Sequence, residues 1–319
     1  MVTVVVSGAE GRTGRRLVAH LEADPSVDRV VRLPAGGELK RLVEGASAVI
    51  HLGAATDVGA VLEAASSSAS VGAFVYRSSA AVYGAWADNA VPLTEDVPLR
   101  PNPGLAFAVE HAEAERLVGE WADDHPGVKV AVLRAVPVVA PGGESWESST
   151  LGRPSSLRRG EALAPAQFLH VDDAASAFAH AWSKGLEGTF NLAPDGWVSG
   201  ETARALASTG TGVTLPLPDR VAVVAERWAW RLGLGGAPSS ASPYLAHPWV
   251  VANDRLRATG WSPEHTNEEA LVASRKGSWW RELSPQRRQE LALGVTGVVM
   301  AALVAGVVAL VRRSASRRG

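Results

Sequence analysis

The sequence of 319 residues contains no cysteine, and its formal net charge of −2 shows no marked excess of either sign. The absence of cysteine excludes disulfides, thiolate chemistry and cysteine-ligated metal sites. None of the eight histidines has the spacing of a zinc-binding helix beside a glutamate, so we expect no metal site. The nearly balanced charge offers no electrostatic basis for binding nucleic acid, which we therefore do not expect as a partner.

The amino-terminal residues also lack the features of a secretory signal peptide. Residues 1–6 (MVTVVV) carry no basic side chain, and their apolar run is too short for the hydrophobic part of such a peptide. We therefore expect the amino-terminal part of the protein to lie in the cytoplasm.

Short apolar runs alternate with helical patterns over the first two thirds of the chain. The predicted strands are residues 2–6, 28–33, 48–52, 73–77, 129–133 and 189–192, and the main predicted helices are residues 14–23, 58–66, 105–121 and 172–184. Buried strands with intervening helices are typical of parallel sheets that carry helices on both faces. The pattern predicts an α/β fold with a doubly wound parallel sheet.

A glycine-rich segment follows the first strand directly and opens the first helix. Gly8 permits a tight turn, Gly11 allows the backbone to approach a pyrophosphate, and Gly14 allows the helix to pack against the strand. Helix amino-terminal N–H groups near Arg12 and Thr13 would face the phosphates. We interpret the segment as a dinucleotide-binding loop; the alternative is an ordinary turn between a strand and a helix.

Further motifs follow in a fixed order along the chain. They are VIHLGAA at 49–55, FVYRSSAAVYG at 74–84, EDVPLRP at 95–101, VLRAVPVVAP at 132–141, FLHVDD at 168–173 and NLAP at 191–194. With the glycine loop, they make the first two hundred residues resemble an extended short-chain dehydrogenase/reductase of the NAD-dependent epimerase/dehydratase type. The resemblance implies a Rossmann-like fold, NAD or NADP as cofactor, and hydride transfer or epimerisation through a keto intermediate.

The same resemblance assigns roles to individual residues. Gly53 and Ala54 would line the cofactor cleft, and Ser79 occupies the position of the catalytic serine or threonine. Phe107 and His111 stand where the family has its tyrosine and lysine. Phenylalanine cannot transfer a proton, whereas histidine can act as a general acid or base near neutral pH. We therefore take His111 as the second candidate catalytic residue, with a purely structural role as the alternative.

The region after the second strand is shorter than in the family. Residues 34–40 leave no room for a third strand, and residues 54–58 leave no room for the segment that carries a catalytic asparagine. Pro34 stands where NAD-binding proteins carry an acidic residue for the ribose. Arg12 and Arg32 lie nearby and favour a 2′-phosphate, hence NADP over NAD, unless they are merely solvated.

The chain divides into segments of different composition. We predict a Rossmann domain at residues 1–198, with a substrate-side insertion at about 141–165, and a small substrate lobe at 199–275. A connector at 276–290, a transmembrane helix at 291–311 and a basic tail at 312–319 follow.

Residues 291–311 contain no charged side chain. A helix of this length spans about 30 Å, the thickness of a bilayer's hydrocarbon core. Aromatic and basic residues that resemble interfacial anchors flank the run, at Trp279, Trp280, Arg312, Arg313, Arg317 and Arg318. We therefore predict a single-pass membrane protein whose amino-terminal domain is cytoplasmic.

Small residues recur at every fourth position of this segment, at Gly297, Ala301, Ala305 and Ala309. Such a stripe lets two membrane helices approach closely and would suit a homodimer. In an alanine-rich sequence the same spacing also arises by coincidence, so both interpretations stay open.

Two functions follow from these patterns. The first is a membrane-tethered NAD(P)-dependent oxidoreductase of the epimerase/dehydratase type, acting on an unknown sugar-nucleotide or lipid-linked substrate. The second is a catalytically inactive dinucleotide-binding sensor or scaffold, which the residues Phe107 and His111 favour.

Overall fold

The computed structural model describes residues 1–34, 39–141, 143–144, 150–151, 164–207 and 239–273. Residues 1–274 form one compact unit. The predicted connector, transmembrane helix and basic tail lie outside the described residues. Within the described residues, no helix combines the length and apolarity needed to cross a bilayer.

The described residues form a six-stranded parallel sheet with the order β2-β1-β3-β4-β5-β9. Its strands are β1 (Thr3–Ser7), β2 (Arg29–Leu33), β3 (Ala48–His51), β4 (Ala73–Ser79), β5 (Lys129–Ala135) and β9 (Gly188–Leu192). Every predicted strand is present, and the doubly wound parallel sheet is confirmed. The order reverses beside β1, which places the carboxyl ends of β1 and β3 at a switch point where such folds bind ligands.

Helices cover both faces of this sheet. In chain order, the helices of the described residues are α1 (Arg12–Ala23), α2 (Leu39–Val43), α3 (Val58–Ser66), α4 (Ala106–Asp124), α5 (Val171–Ser183), α6 (Gly200–Ala207), α7 (Ser242–Ala246), α8 (Asp254–Arg257) and α9 (Asn267–Ala273). Of these, α1 and α5 pack on one face of the sheet, and α3 and α4 pack on the other. Alternate residues of β1 point to opposite faces: Val4 and Val6 pack in the core shared with α1 and α5, whereas Val5 packs in the core shared with α3 and α4.

The sheet ends at β2 within the described residues. This agrees with the prediction that the short segment 34–40 leaves no room for the family's third strand. The connection from β3 to α3 is also short, because a 3-10 helix at Ala55–Asp57 leads directly into α3 at Val58.

A second, three-stranded sheet lies beyond the carboxyl end of β5. It has the order β7-β6-β8, from β6 (Val138–Ala140), β7 (Gly143–Glu144) and β8 (Leu169–His170). His170 caps α5, since its side chain accepts a hydrogen bond from the Asp172 N–H.

Candidate functional site

The glycine loop between β1 and α1 is held by close backbone contacts. Gly8 has a positive φ of 73°, and a Cβ there would lie 2.7 Å from the carbonyl carbon of Leu52. A Cβ on Gly14 would overlap the Gly8 carbonyl oxygen. Gly11 differs, because a Cβ there would meet only the Gly8 oxygen, at 3.2 Å. The fold itself therefore requires glycine at positions 8 and 14, whereas a methyl group at position 11 requires the Gly8 oxygen to shift by only a few tenths of an ångström.

The first turn of α1 faces the loop opening with its amino-terminal end. Gly11 is the N-cap residue, and the first turn contains no acidic side chain. The N–H groups of a first helical turn have no acceptors within their own helix, and the helix dipole places partial positive charge there. This end of α1 is therefore suited to an anion.

A cleft of about 250 Å³ opens beside the loop. Its lining combines the loop with residues from four other elements or their ends: Gly8, Gly11, Arg12, Thr13, Gly14, Leu52, Arg77, Val138, Ala140 and Val171. Among these lining residues the charged side chains are both arginines and none is acidic. The cleft is thus an electropositive site, and the five loop residues predicted to bind the cofactor all border it.

The other predicted cofactor residues lie at different distances from this cleft. A Cβ on Gly8 would lie 2.8 Å from the Gly53 nitrogen, so Gly53 borders the loop directly. The Ala54 carbonyl oxygen lies 3.1 Å from His51 Nε2. Arg32 forms a 3.0 Å ion pair with Glu22, and its side chain is 55% exposed. The structure does not bring Arg32 into the cleft lining, and its contact with a 2′-phosphate stays a prediction.

Ser79 lies at the end of β4 and is buried. Its Oγ accepts a hydrogen bond of 3.2 Å from the Ala81 N–H. Because that contact uses the oxygen as acceptor, the hydroxyl proton can still be donated to a substrate oxygen. Ser79 is not among the residues that line the cleft, so its predicted role stays a prediction.

His111 is buried in α4. Its Nδ1 lies 2.9 Å from the hydroxyl of Tyr76, and the ring of Phe107 packs edge-on at 4.6 Å. Burial, aided by the positive charge of Arg77, lowers the pKa of His111 to about 3. The imidazole is therefore neutral at physiological pH. Its role in proton transfer stays a prediction, and the structure shows it engaged by a buried phenol.

All three tyrosines of the chain lie within the described residues, and all are buried. The Tyr76 hydroxyl contacts His111, the Tyr83 hydroxyl donates to Asn191 Oδ1, and the Tyr244 hydroxyl donates to the Ala81 carbonyl. Burial raises the pKa of both Tyr83 and Tyr244. Each phenol hydroxyl thus has a partner within the protein.

Arg77 is a cleft residue that the sequence pattern did not single out, and His51 is a fully buried histidine next to Gly53. Arg77 lines the cleft, and His51 Nδ1 lies 3.0 Å from Ser7 Oγ while its ring stacks on Tyr76. Burial lowers the pKa of His51. A signal was available for Arg77, because it is the charged residue of an otherwise uncharged buried strand, AFVYRSS.

Several motif residues converge on a buried polar network. Arg134 on β5 forms a bidentate ion pair with Glu115 on α4, with Nε and NH2 within 3.1 Å of the carboxylate. Arg134 also donates to the Tyr83 hydroxyl, and the Asn191 N–H donates to Glu95 Oε1. These contacts join β5, β9, α4 and the 3-10 helix that follows β4, so the motifs that contain them stabilise the sheet.

A parallel sheet in this order, with a glycine-rich turn between β1 and α1, defines a Rossmann-like fold. The sequence model of the NAD dependent epimerase/dehydratase family matches residues 4–193. Since the match covers more than half of the chain, the protein belongs to the NAD dependent epimerase/dehydratase family. This confirms the resemblance found in the sequence.

Relatives of known sequence are distant. Uncharacterized proteins of Mycobacterium tuberculosis and Mycobacterium bovis are 25% identical over 255 residues, which is 80% of this chain. The aligned part covers 66% of each relative, less than two thirds of its length.

Solved structures share the fold at lower identity. RMD from Pseudomonas aeruginosa complexed with NADPH has a TM-score of 0.62 and 22% identity, covering 89% of this chain and 100% of that one. The dTDP-glucose 4,6-dehydratase of Bacillus anthracis in complex with NAD has a TM-score of 0.63 and 15% identity, and the match covers 88% of this chain and 97% of that one. The UDP-glucose 4-epimerase of Thermus thermophilus in complex with NAD has a TM-score of 0.61 and 20% identity, and the match covers 86% of this chain and 98% of that one.

Proposed function

We propose that the protein binds NAD(H) or NADP(H) in the cleft beside the glycine loop and acts as an NAD(P)-dependent oxidoreductase of its family. The observation that carries the proposal is the cleft itself, in which two arginines and the amino end of α1 meet without any acidic lining residue. The diphosphate of a dinucleotide is the anion that such a site suits. The complexes of structural neighbours with NADPH and NAD support the same ligand class.

The residues of the loop fit a dinucleotide. A Cβ at position 11 would make one tight contact with the fold, at 3.2 Å from the Gly8 oxygen, and it would lie at the amino end of α1. A bound nicotinamide would supply the hydride-transfer chemistry. The protein would hold the diphosphate with the loop and Arg12, and Ser79 would orient the substrate oxygen by donating its proton.

The substrate is proposed only by class. Sugar nucleotides are named for structural neighbours such as a dTDP-glucose dehydratase and a UDP-glucose epimerase. A membrane position would favour a lipid-linked substrate. A substrate of either class must present a secondary hydroxyl or a carbonyl group that can lie beside Ser79.

A non-catalytic dinucleotide-binding role is the second candidate. One observation favours it: all three tyrosine hydroxyls have internal partners, and His111 is neutral and bound to Tyr76. A protein of this kind would bind the dinucleotide but would not oxidise or reduce a substrate. Binding without turnover over a panel of sugar nucleotides and lipid-linked carbonyl compounds would support this candidate.

The binding proposal is tested by adding a methyl group at the loop. Gly11→Ala should retain the fold but weaken NADPH and NADH binding by at least about 10-fold, because the methyl group occupies the space where the pyrophosphate approaches. Gly59→Ala is the matched control, since a Cβ there meets no atom within 4 Å. Quenching of tryptophan fluorescence measures the affinities. Absence of binding by the wild-type chain, or unchanged affinity in Gly11→Ala, contradicts the proposal.

We also propose that residues 291–311 anchor the protein in a membrane as a single helix, with the folded domain on the cytoplasmic side. The support is the sequence alone: no charge and one hydroxyl, Thr296, in a run of bilayer-spanning length. The full chain should resist extraction from membranes by high salt and by alkali, whereas a chain ending at Arg288 should not sediment with them. Release of the full chain by salt alone would indicate a peripheral attachment instead.

A further inference from the structure

Arg77 has an unusual position for a charged residue. It lies near the carboxyl end of β4, between β3 and β5, in register with Leu133 of β5. Strand residues of this kind are buried on both faces and normally apolar. The side chain of Arg77 is half-buried and lines the cleft of the glycine loop.

We propose that Arg77 binds the diphosphate of the dinucleotide, as a second cationic side chain opposite Arg12. This inference rests on the proposed dinucleotide binding and assigns a further residue to that site. Gly8 and Gly11 border the same cleft, so the arginine and the phosphate-binding loop face one volume of about 250 Å³.

The identity of the bound group follows from the position of Arg77 in the sheet. A 2′-phosphate would lie at the tip of β2, but β4 is separated from β2 by both β1 and β3. At about 4.8 Å between strands, that separation exceeds the reach of an arginine side chain from β4. The diphosphate is the remaining anionic group of either dinucleotide, and a guanidinium can bind its oxygens in a bidentate manner.

The surrounding side chains make Arg77 the cation on this side of the cleft. The lysine position on α4 is occupied by His111, which is neutral. The charge of Arg77 contributes to the lowered pKa of both His111 and His51, after burial, so the guanidinium lies within electrostatic reach of both rings. Arg77 is therefore the charged side chain that β4 brings to the cleft lining.

The test compares neutral variants with two ligands that share the diphosphate. Arg77→Met retains an apolar stem and removes the charge. It should weaken the binding of both NADH and ADP-ribose by about 10- to 100-fold. The two losses should be equal, because ADP-ribose contains the diphosphate without the nicotinamide. Inorganic pyrophosphate should compete with NADH on the wild-type chain and much less on Arg77→Met. Arg29→Met, at the exposed amino end of β2, is the control and should bind like wild type.

Each outcome decides a different point. If the wild-type full chain binds neither ligand, the proposed function itself fails. If wild type binds both and Arg77→Met binds them equally well, only the assignment of Arg77 is wrong. A loss confined to NADH would place Arg77 at the nicotinamide and overturn the diphosphate assignment. Arg77→Gln provides a second neutral variant, and failure of both variants to fold would make Arg77 a structural residue and overturn the inference.

Discussion

Glu115→Gln is expected to lower the free energy of unfolding by about 3 to 5 kcal/mol. Glu115 and Arg134 are 7% and 8% exposed, and three of the hydrogen bonds between them hold the guanidinium against the carboxylate. The neutral amide leaves the positive charge of Arg134 buried without its counterion, which costs more than the pair itself contributes. For a domain whose total stability is about 5 to 15 kcal/mol, this loss is severe.

Glu113→Gln is the matched control on the same helix. Glu113 pairs with Arg116 in solvent, and such an exposed pair contributes little to stability. Urea denaturation followed by circular dichroism measures both variants. A double variant, Glu115→Leu with Arg134→Met, should recover part of the loss, because it removes both charges together. Equal stability of Glu115→Gln and Glu113→Gln would show that the buried pair does not hold the sheet as described.

The second large effect is a loss of stability in acid that depends on His111. Its pKa is about 3 in the folded protein, whereas an unfolded histidine titrates near 6.5. Below pH 6.5 the unfolded chain takes up a proton that the folded chain does not, so stability falls as the pH falls. The loss is about 1.4 kcal/mol per pH unit and reaches about 4 to 5 kcal/mol near pH 3.

His111→Asn tests this contribution, because its amide can still contact the Tyr76 hydroxyl but does not titrate in this range. The urea midpoints at pH 7 and pH 5 should differ less in His111→Asn than in wild type. In the free energy of unfolding, the difference corresponds to the uptake of about one proton, or about 1.4 kcal/mol per pH unit. His20→Asn, on the exposed side of α1, should behave like wild type. His51 also has a lowered pKa, so part of the acid sensitivity should remain. An unchanged pH dependence in His111→Asn would show that the imidazole titrates normally in the fold.

The local pattern of the sequence was sufficient to predict the sheet and its helices. Apolar runs of strand length and their intervening helical segments predicted every strand of the six-stranded sheet, because strand and helix periodicities are properties of neighbouring residues. The glycine loop was predictable for the same reason. The positive φ of Gly8 and the tight packing of Gly14 are demands of a short turn between a strand and a helix.

The tertiary structure decided which side chains meet. Arg77 is distant in sequence from the glycine loop, and only the convergence of parallel strands at their carboxyl ends brings it to the same cleft. His111 is identified by its position on α4, but its environment depends on Tyr76 from β4. A residue's charge state and partner follow from burial and packing between elements, which no local periodicity encodes. The sequence by itself therefore determined the family, the sheet and the loop, whereas the three-dimensional packing decided that the imidazole is neutral and that Arg77 of β4 lies in the cleft with Arg12 of α1.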